Sequence, residues 1–561
     1  MTAGELQLVL CWHLHQPQYR DAIEGSYVKP WTWLHGIKDY TDMAAHLETV
    51  PGARAVVNFS TILLEQLSDY SVRIARWQQD GQPIGDPLLD ALGGDLPDLD
   101  RDKLALANAC LHANKTHMID AFPPYASLYA RAETAIAMGA PLDEPTLRDL
   151  LLWYHLAWTG ESLRREHASI RELLRKGGGF TKDEGKRLLG TIGEALGALI
   201  PRYRTLAEGG RVELSVTPHA HPILPLLIDL AVAREAMPDV TIPDNNYPGG
   251  ADRCRWHIER ALSAFERFFG FRPKGCWPSE GGLSEDVLPL LGEFGFAWTA
   301  TGTNVLTHSI GIYTEGAHLQ SWHSPRDGQD LTLFFRDDEL SDRIGFQYSK
   351  WGADDAVNDL IARLESIWNQ WEGTAPPVVS IIMDGENAWE HYPYNAWYFL
   401  QHLYSRLARH PHIEMTTFEK LLDRGVVRSP LPRLVAGSWV YGNFSVWIGD
   451  PLKNRAWELL SAAKESVDRV LTSQHSATQM DAAAREAILE QLGVCEGSDW
   501  FWWLGSDNLP EDSAAFDSLF REHLDSLYRL LGEPPPEHLR VAAETGEAST
   551  GTSGAMRRAN Q

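Results

Sequence analysis

Four short apolar runs in this chain each end in a polar cluster, and the four clusters stand far apart along its 561 residues. Residues 6–12 run into His13-Leu14-His15-Gln16-Pro17. Residues 212–216 run into Thr217-Pro218-His219-Ala220-His221-Pro222. A short run leads to Trp277-Pro278-Ser279-Glu280-Gly281-Gly282, and residues 378–383 lead to Asp384-Gly385-Glu386-Asn387. Further strands are expected at 53–59, 296–301 and 331–335. Helical spacing lies between them: Val357, Leu360, Ile361, Leu364, Ile367, Trp368 and Trp371 follow one face closely, and Ser284 is the expected N-cap of a helix through Val287, Leu288, Leu290 and Leu291. Alternating strand and helix predicts parallel pairing. In a β/α barrel the active site sits at the C-terminal ends of the strands, so the clusters near 15, 220, 280 and 384 are expected to converge on one rim.

The length is too great for one ordinary core, and the pattern divides the chain. Residues 1–430 carry the strand–helix alternation. A helical insertion of about 62–207 interrupts it, with Leu150, Leu151, Tyr154, Leu156, Ala157 and Trp158 as a dense apolar face. Residues 431–533 are expected to form a C-terminal helical domain. Residues 534–561 turn Pro-rich, then small and polar, and are expected to be a disordered tail.

Two carboxylates beside aromatic groups are the equipment for breaking a glycosidic bond: one attacks the sugar and the other handles the proton. Glu280, in a Gly/Pro/Ser loop near Trp277, and Asp384 are the candidates. An ionised nucleophile needs hydrogen-bond donors around it. Glu386 stands two residues after Asp384, and on an extended backbone both would point the same way. Two like charges held close raise the pKa of one of them, which suits a general acid; spacing alone does not say which.

His13 and His15 share one face of an extended segment, and His219 and His221 repeat that spacing. Such pairs can bind metal. No Asp or Cys lies near enough in sequence to complete a ligand set, and imidazoles also serve sugar hydroxyls as donors and acceptors. No metal and no cofactor is expected. The net charge of −26, without a long basic run, argues against nucleic acid or an anionic membrane as partner. It fits a neutral substrate. The 21 Trp suit sugar faces as well as core packing. The five Cys form no C-x-x-C pair, no signal peptide precedes the first strand, and no apolar run is long enough for a membrane span, so a cytoplasmic home is expected.

Taken together, these residues resemble glycoside hydrolase family 57 over roughly residues 6–505. The opening His13-Leu14-His15-Gln16-Pro17 looks like the family's first conserved region, Glu213 to Leu226 like its second, Gly275 to Ser284 like its third and Met383-Asp384-Gly385-Glu386 like its fourth. The resemblance implies an α/β fold, an incomplete (β/α)7 barrel followed by a helical bundle. It implies retaining action on α-glucans, with Glu280 as nucleophile and Asp384 as acid/base. It also places His13, His15, Trp277 and Glu386 along the sugar subsite. Gln16, His219 and His221 are further substrate-binding candidates within the first two regions, and Trp439 or Trp447 looks like the aromatic fifth region. Thr217-Pro218-His219-Ala220-His221-Pro222-Ile223-Leu224-Pro225-Leu226 and Ser498-Asp499-Trp500-Phe501-Trp502-Trp503 look like the amylase and amylopullulanase-type subgroup. The stretch Leu504-Gly505-Ser506-Asp507-Asn508 departs from relatives that are more acidic there and end in His. The expected partner is an α-glucan oligo- or polysaccharide. The competing readings are a 4-α-glucanotransferase of the same family, a metal-dependent mannosidase or deacetylase on a similar barrel, and a glucan-binding protein with a dead site.

Overall fold

The computed structural model describes residues 4–312, 314–325, 330–473, 480–540, 556 and 558. Its core is a ring of parallel strands. The chain enters through β1 (Leu6–Leu14) and β2 (Ala55–Ser60), then β3 (Val212–Thr217), β4 (Gly275–Cys276) and β5 (Trp298–Gly302). β6 (Ser321–His323), β7 (Thr332–Arg336), β8 (Val378–Asp384), β9 (Ile413–Thr416) and β10 (Arg428–Pro430) follow. The ring runs β1-β2-β3-β4-β5-β7-β8 and closes from β8 back onto β1, seven strands in all. β6 and β10 extend it outside β7, and β9 pairs with the start of β1.

Helices cover such a sheet on its outer side while the strands face one another within the ring, so the strands read as continuous apolar runs. All nine residues of β1 are buried. The strand expectations at 6–12, 53–59, 212–216, 296–301, 331–335 and 378–383 each meet a strand within a few residues. The ring is weakest at two places. β3 and β4 share one registered pair, Val216 and Cys276. β7 and β8 share Arg336 and Ser380, reinforced by the Asp337 N–H donating to the Ser380 carbonyl at 2.7 Å. β4 is only two residues long, and its first has to be small: a Cβ on Gly275 would lie 1.9 Å from the indole of Trp298.

Three elements escaped the sequence reading. β6, β9 and β10 have three or four residues each, too few for a periodic signal. The helix expected to start at Ser284 spans Val287–Glu293 and is flanked by Asp286, so Ser284 is not its N-cap.

Between β2 and β3 the chain runs through helices from Thr61–Asp80 to Lys182–Glu208. The last of these opens on a capping box in which Thr181 and Glu184 satisfy each other's backbone N–H. After β10 come helices Pro451–Thr472, Ala482–Cys495, Asp499–Trp503 and Pro510–Leu530. Asp450 caps the first of them, with Pro451 in the position where a missing N–H costs nothing.

A buried ion pair fastens this helical region to the barrel. Glu496 accepts from Arg253 at 2.7 Å and from His257 at 2.7 Å, both on the helix Gly250–Phe269. Against the cost of burial, these partners hold its carboxyl down at about 2. Removing one partner of such a pair costs about 3–5 kcal/mol. Two residues further on, the Ser498 N–H donates to the His221 carbonyl at 2.9 Å, so the clamp brings residues 498–503 over the barrel mouth. Of the tail, Glu537–Arg540 is a short 3-10 turn with Leu539 buried. Residues 541–555, 557 and 559–561 of the expected disordered segment lie outside the described residues. No described helix is long and apolar enough to cross a membrane.

Candidate active site

The four clusters do meet. His13, His15 and Gln16 from the end of β1, His221 after β3, Glu280 after β4, and Asp384 with Glu386 from the end of β8 line one cleft of about 1610 Å³. That exceeds the roughly 300–1,000 Å³ of an ordinary small-molecule pocket, and it suits an extended ligand. The helical insertion supplies part of the wall through Asn114, His117 and Trp158, and the C-terminal helical region supplies Asp499, Trp502 and Trp503.

Glu280 sits in a single 3-10 turn, Ser279–Gly281, with φ 57° and ψ 21°. A non-glycine residue there costs about 1–3 kcal/mol and persists only where its surroundings hold it. Trp439 does so twice. Its backbone N–H donates to the Glu280 carbonyl at 3.0 Å, and its indole Nε1–H donates to Glu280 Oε2 at 2.8 Å. Burial, then the nearby Asp384, pushes the Glu280 carboxyl up to about 8, with the indole donor acting the other way. Burial also raises Asp384 to about 6, against the Asn387 amide, which donates to it at 3.1 Å.

Glu386 is buried. Its Oε1 accepts from the His15 N–H at 3.2 Å, and its Oε2 has no hydrogen-bond partner among the described residues. Burial and then Asp384 push its carboxyl well above the usual carboxylate range.

The hydrogen bonds assign the histidine tautomers. Asn58 Nδ2 donates to Ser215 Oγ at 3.0 Å, which leaves Asn58 Oδ1 to accept from His13 Nδ1 at 2.7 Å. His13 Nε2 is therefore a lone pair, and His221 Nε2–H donates to it at 3.0 Å. His221 Nδ1 then accepts from the Ser498 hydroxyl at 2.8 Å. Burial lowers His13 to about 3 and holds His221 well below its ordinary value, so both are neutral. His15 bonds Ser60 through Nδ1 at 2.7 Å and Asp499 through Nε2 at 3.0 Å.

His15, His221 and Asp499 bring ligand atoms close enough together to suggest a metal site. The rings argue otherwise. His15 and His221 stack with centroids 3.9 Å apart and planes 12° apart. An imidazole lone pair lies in the ring plane, so two stacked rings cannot both aim at one ion about 2 Å away. Their nitrogens instead have hydrogen-bond partners throughout.

Three expected contacts are not made. His219 does not face the cleft: its Nδ1 meets Thr61 Oγ1 at 2.9 Å and its Nε2 meets Glu490 at 3.1 Å. The reason is backbone. Ala220 and His221 have φ 58° and 61°, so the segment is not extended and the two histidines do not share a face. Trp277 is fully buried, edge-on to Trp439 at 5.2 Å, and buttresses that ring rather than a sugar. Trp447 is also fully buried, and its carbonyl accepts from Trp457 Nε1 at 3.0 Å. Trp439 lines a small recess shared with Glu280, Asp384 and Arg336.

Asp499, Asn387 and Arg336 were missed as site residues. A carboxylate opening the Asp499-Trp500-Phe501-Trp502-Trp503 run was the signal for the first, since such a run needs a purpose beyond surface solvation. For Arg336 the only signal was its place at a strand end.

Comparison with known proteins bears on the fold and the family. A curated protein of Methanocaldococcus jannaschii, provisionally named an alpha-amylase, is 26% identical over 216 residues. The match covers 36% of this chain and 42% of that protein, so the chain spans less than half the length of this curated relative. The solved GH57-type branching enzyme of Pyrococcus horikoshii superposes with TM-score 0.56 at 14% identity, covering 99% of each chain. The alpha-amylase of Thermotoga maritima superposes with TM-score 0.58 at 12% identity, covering 96% of each chain. At that identity both share the fold. The family model described as glycosyl hydrolase family 57 matches residues 9–429, three quarters of the chain, and the chain belongs to that family.

Proposed function

We propose that this protein cleaves α-1,4-linked glucan chains with retention of anomeric configuration, using Glu280 as nucleophile and Asp384 as acid/base. The observation that carries the reading is the pair itself: two coupled carboxyls on the barrel rim, facing one long cleft. In the first step the Glu280 carboxylate bonds to the anomeric carbon as the bond from that carbon to the leaving oxygen breaks. Asp384 gives its proton to that oxygen. In the second step Asp384 takes a proton from water, the water oxygen bonds to the anomeric carbon, and Glu280 is released. Glu386 lines the same cleft beside the pair. The neutral imidazoles of His13 and His221 line the cleft without a positive charge that would oppose the sugar cation.

The cleft is long, and an acceptor sugar in place of water would make the same enzyme a glucanotransferase. The branching-enzyme neighbour keeps that second reading open. Incubation with pure maltoheptaose separates the two. Shorter products alone are expected; products longer than the substrate would replace hydrolysis by transfer, and no products at all would send the reading away from α-1,4 links.

The pH profile follows from the pair. The productive form holds one proton between the two carboxyls, and coupled groups titrate as a pair. With Asp384 raised to about 6 and Glu280 to about 8, kcat/KM is expected to rise as pH passes about 6 and to fall as it passes about 8. Below that window both carboxyls are protonated and no nucleophile exists; above it both are ionised and no acid exists. In the empty cleft the single proton favours Glu280, so sugar binding has to draw it to Asp384. A profile without two limbs would count against the pair.

A further inference from the structure

Arg336, at the end of β7, is buried and stands beside the candidate pair without having been assigned any part in it. Its guanidinium uses every edge. Nε donates to the Ile382 carbonyl at 2.7 Å, Nη1 to Asp338 at 2.8 Å and Nη2 to Asp342 at 2.8 Å. The guanidinium carbon lies over the Trp439 ring, 5.2 Å from its centroid. Ile382 is two residues before Asp384 on β8. Trp439 is the residue that bonds Glu280 through both backbone and side chain.

We infer that Arg336 is a positioning residue that joins the two carboxylate-bearing segments: its edge holds the end of β8 beside Asp384, and its face holds the indole that donates to Glu280. The inference rests on the reading of Glu280 and Asp384 as the reacting pair.

Three observations favour this over a merely structural ion pair. First, β7 and β8 share only one registered pair, so the barrel seam beneath Asp384 needs a side-chain tie, and the bond to Ile382 supplies it. Second, Glu280 sits at positive φ and depends on Trp439 to stay there. Third, a cation over an aromatic face draws on its electron density, which makes the indole N–H a better donor to a carboxylate. The same charge also favours the ionised form of Asp384. Only a planar group can serve an edge and a face together, so lysine is not equivalent here.

Among the other ionisable groups lining the cleft with Glu280 are Asp384 and Glu386 from the end of β8, Asp499 from the helical region, His13 and His15 from the end of β1, and His221 after β3; Lys29, His117, Lys350, Glu390 and Asp512 line it too. Of these, Asp384 and Asp499 both oppose ionisation of Glu280. The donor from Trp439 is the contact that offsets them.

The test compares Arg336→Lys, Trp439→Phe and the double variant with the natural enzyme, by kcat, KM, pH profile and Tm. A hydrogen bond to a charged group is worth about 1.5–3 kcal/mol, so each single variant is expected to lose about 10- to 100-fold in kcat. KM is expected to stay within about threefold, because the sugar contacts remain. The basic limb of kcat/KM is expected to move to higher pH in both, since losing the indole donor, or the guanidinium that holds it, makes Glu280, the group near 8, harder to ionise. The double variant is expected to lose more than Trp439→Phe alone but less than the product of the two single losses, because the contact with Trp439 is shared while the bond to Ile382 is separate. Basic limbs that stay in place while activity falls, or losses that multiply, would overturn the inference. If Arg336→Lys does not fold, Trp439→Phe carries the test: an unmoved limb there overturns it. A Glu280→Gln control keeps the two claims apart. If that variant still turns over substrate, the reading of the pair falls. If it is inert and the limbs are unmoved, only the role of Arg336 falls.

Discussion

Glu280→Gln is expected to leave maltoheptaose essentially intact under conditions in which the natural enzyme consumes it. The side chain keeps its size and can still accept from Trp439 through its carbonyl oxygen, so the turn at 279–281 has no reason to move. What it loses is the lone pair that bonds to the anomeric carbon. Removing a nucleophile that acts as one unit with its partners costs roughly 10⁴-fold or more in kcat. Binding is expected to survive, since the residues lining the rest of the cleft are untouched. The measurements are product sizing for turnover and calorimetric titration with maltoheptaose for affinity. Stability is not expected to fall, because a neutral amide replaces a carboxyl that burial already disfavours as an anion. Turnover within about tenfold of the natural enzyme would remove Glu280 from the nucleophile's role.

Asp384→Asn is expected to be nearly as damaging, and to differ in kind. It removes the proton donor of the first step and the base of the second, for a loss of about 10²–10⁴-fold. A glucoside whose leaving group is a weak base, such as a nitrophenolate, departs without a proton. With such a substrate the first step is expected to recover while release of the glycosyl enzyme stays slow, which gives a burst of leaving group followed by a slow steady state. The basic limb of the pH profile is expected to vanish with the acid. No burst, and equal losses on activated and natural substrates, would assign Asp384 a binding role instead.

How far the site could be seen in advance is best judged residue by residue. His13, His15, Gln16, His221, Glu280, Asp384 and Glu386 were all legible, because each follows directly on an apolar run and strand ends gather on one rim in this architecture. His219 misled because its spacing from His221 assumes extended backbone, and nothing in Pro218-His219-Ala220-His221 announces two successive left-handed residues. Trp277 and Trp447 misled because indole serves core and sugar equally well, and only burial separates the two uses.

The sequence by itself determined the local matters: where the strands of the ring run, which polar groups sit at their ends, that helices fill the stretch between β2 and β3, and the family to which the chain belongs. These follow from periodicity and from motifs that are contiguous in the chain. The tertiary structure alone decided that Asp499 reaches His15 across 484 residues of sequence and that Trp439 reaches Glu280 across 159. It also decided that Arg336 ties the two carboxylate-bearing segments together. Those contacts depend on how the helical region docks on the barrel, through the buried Glu496 clamp and the seam between β7 and β8. Docking is set by packing between distant surfaces, which no local pattern of residues encodes.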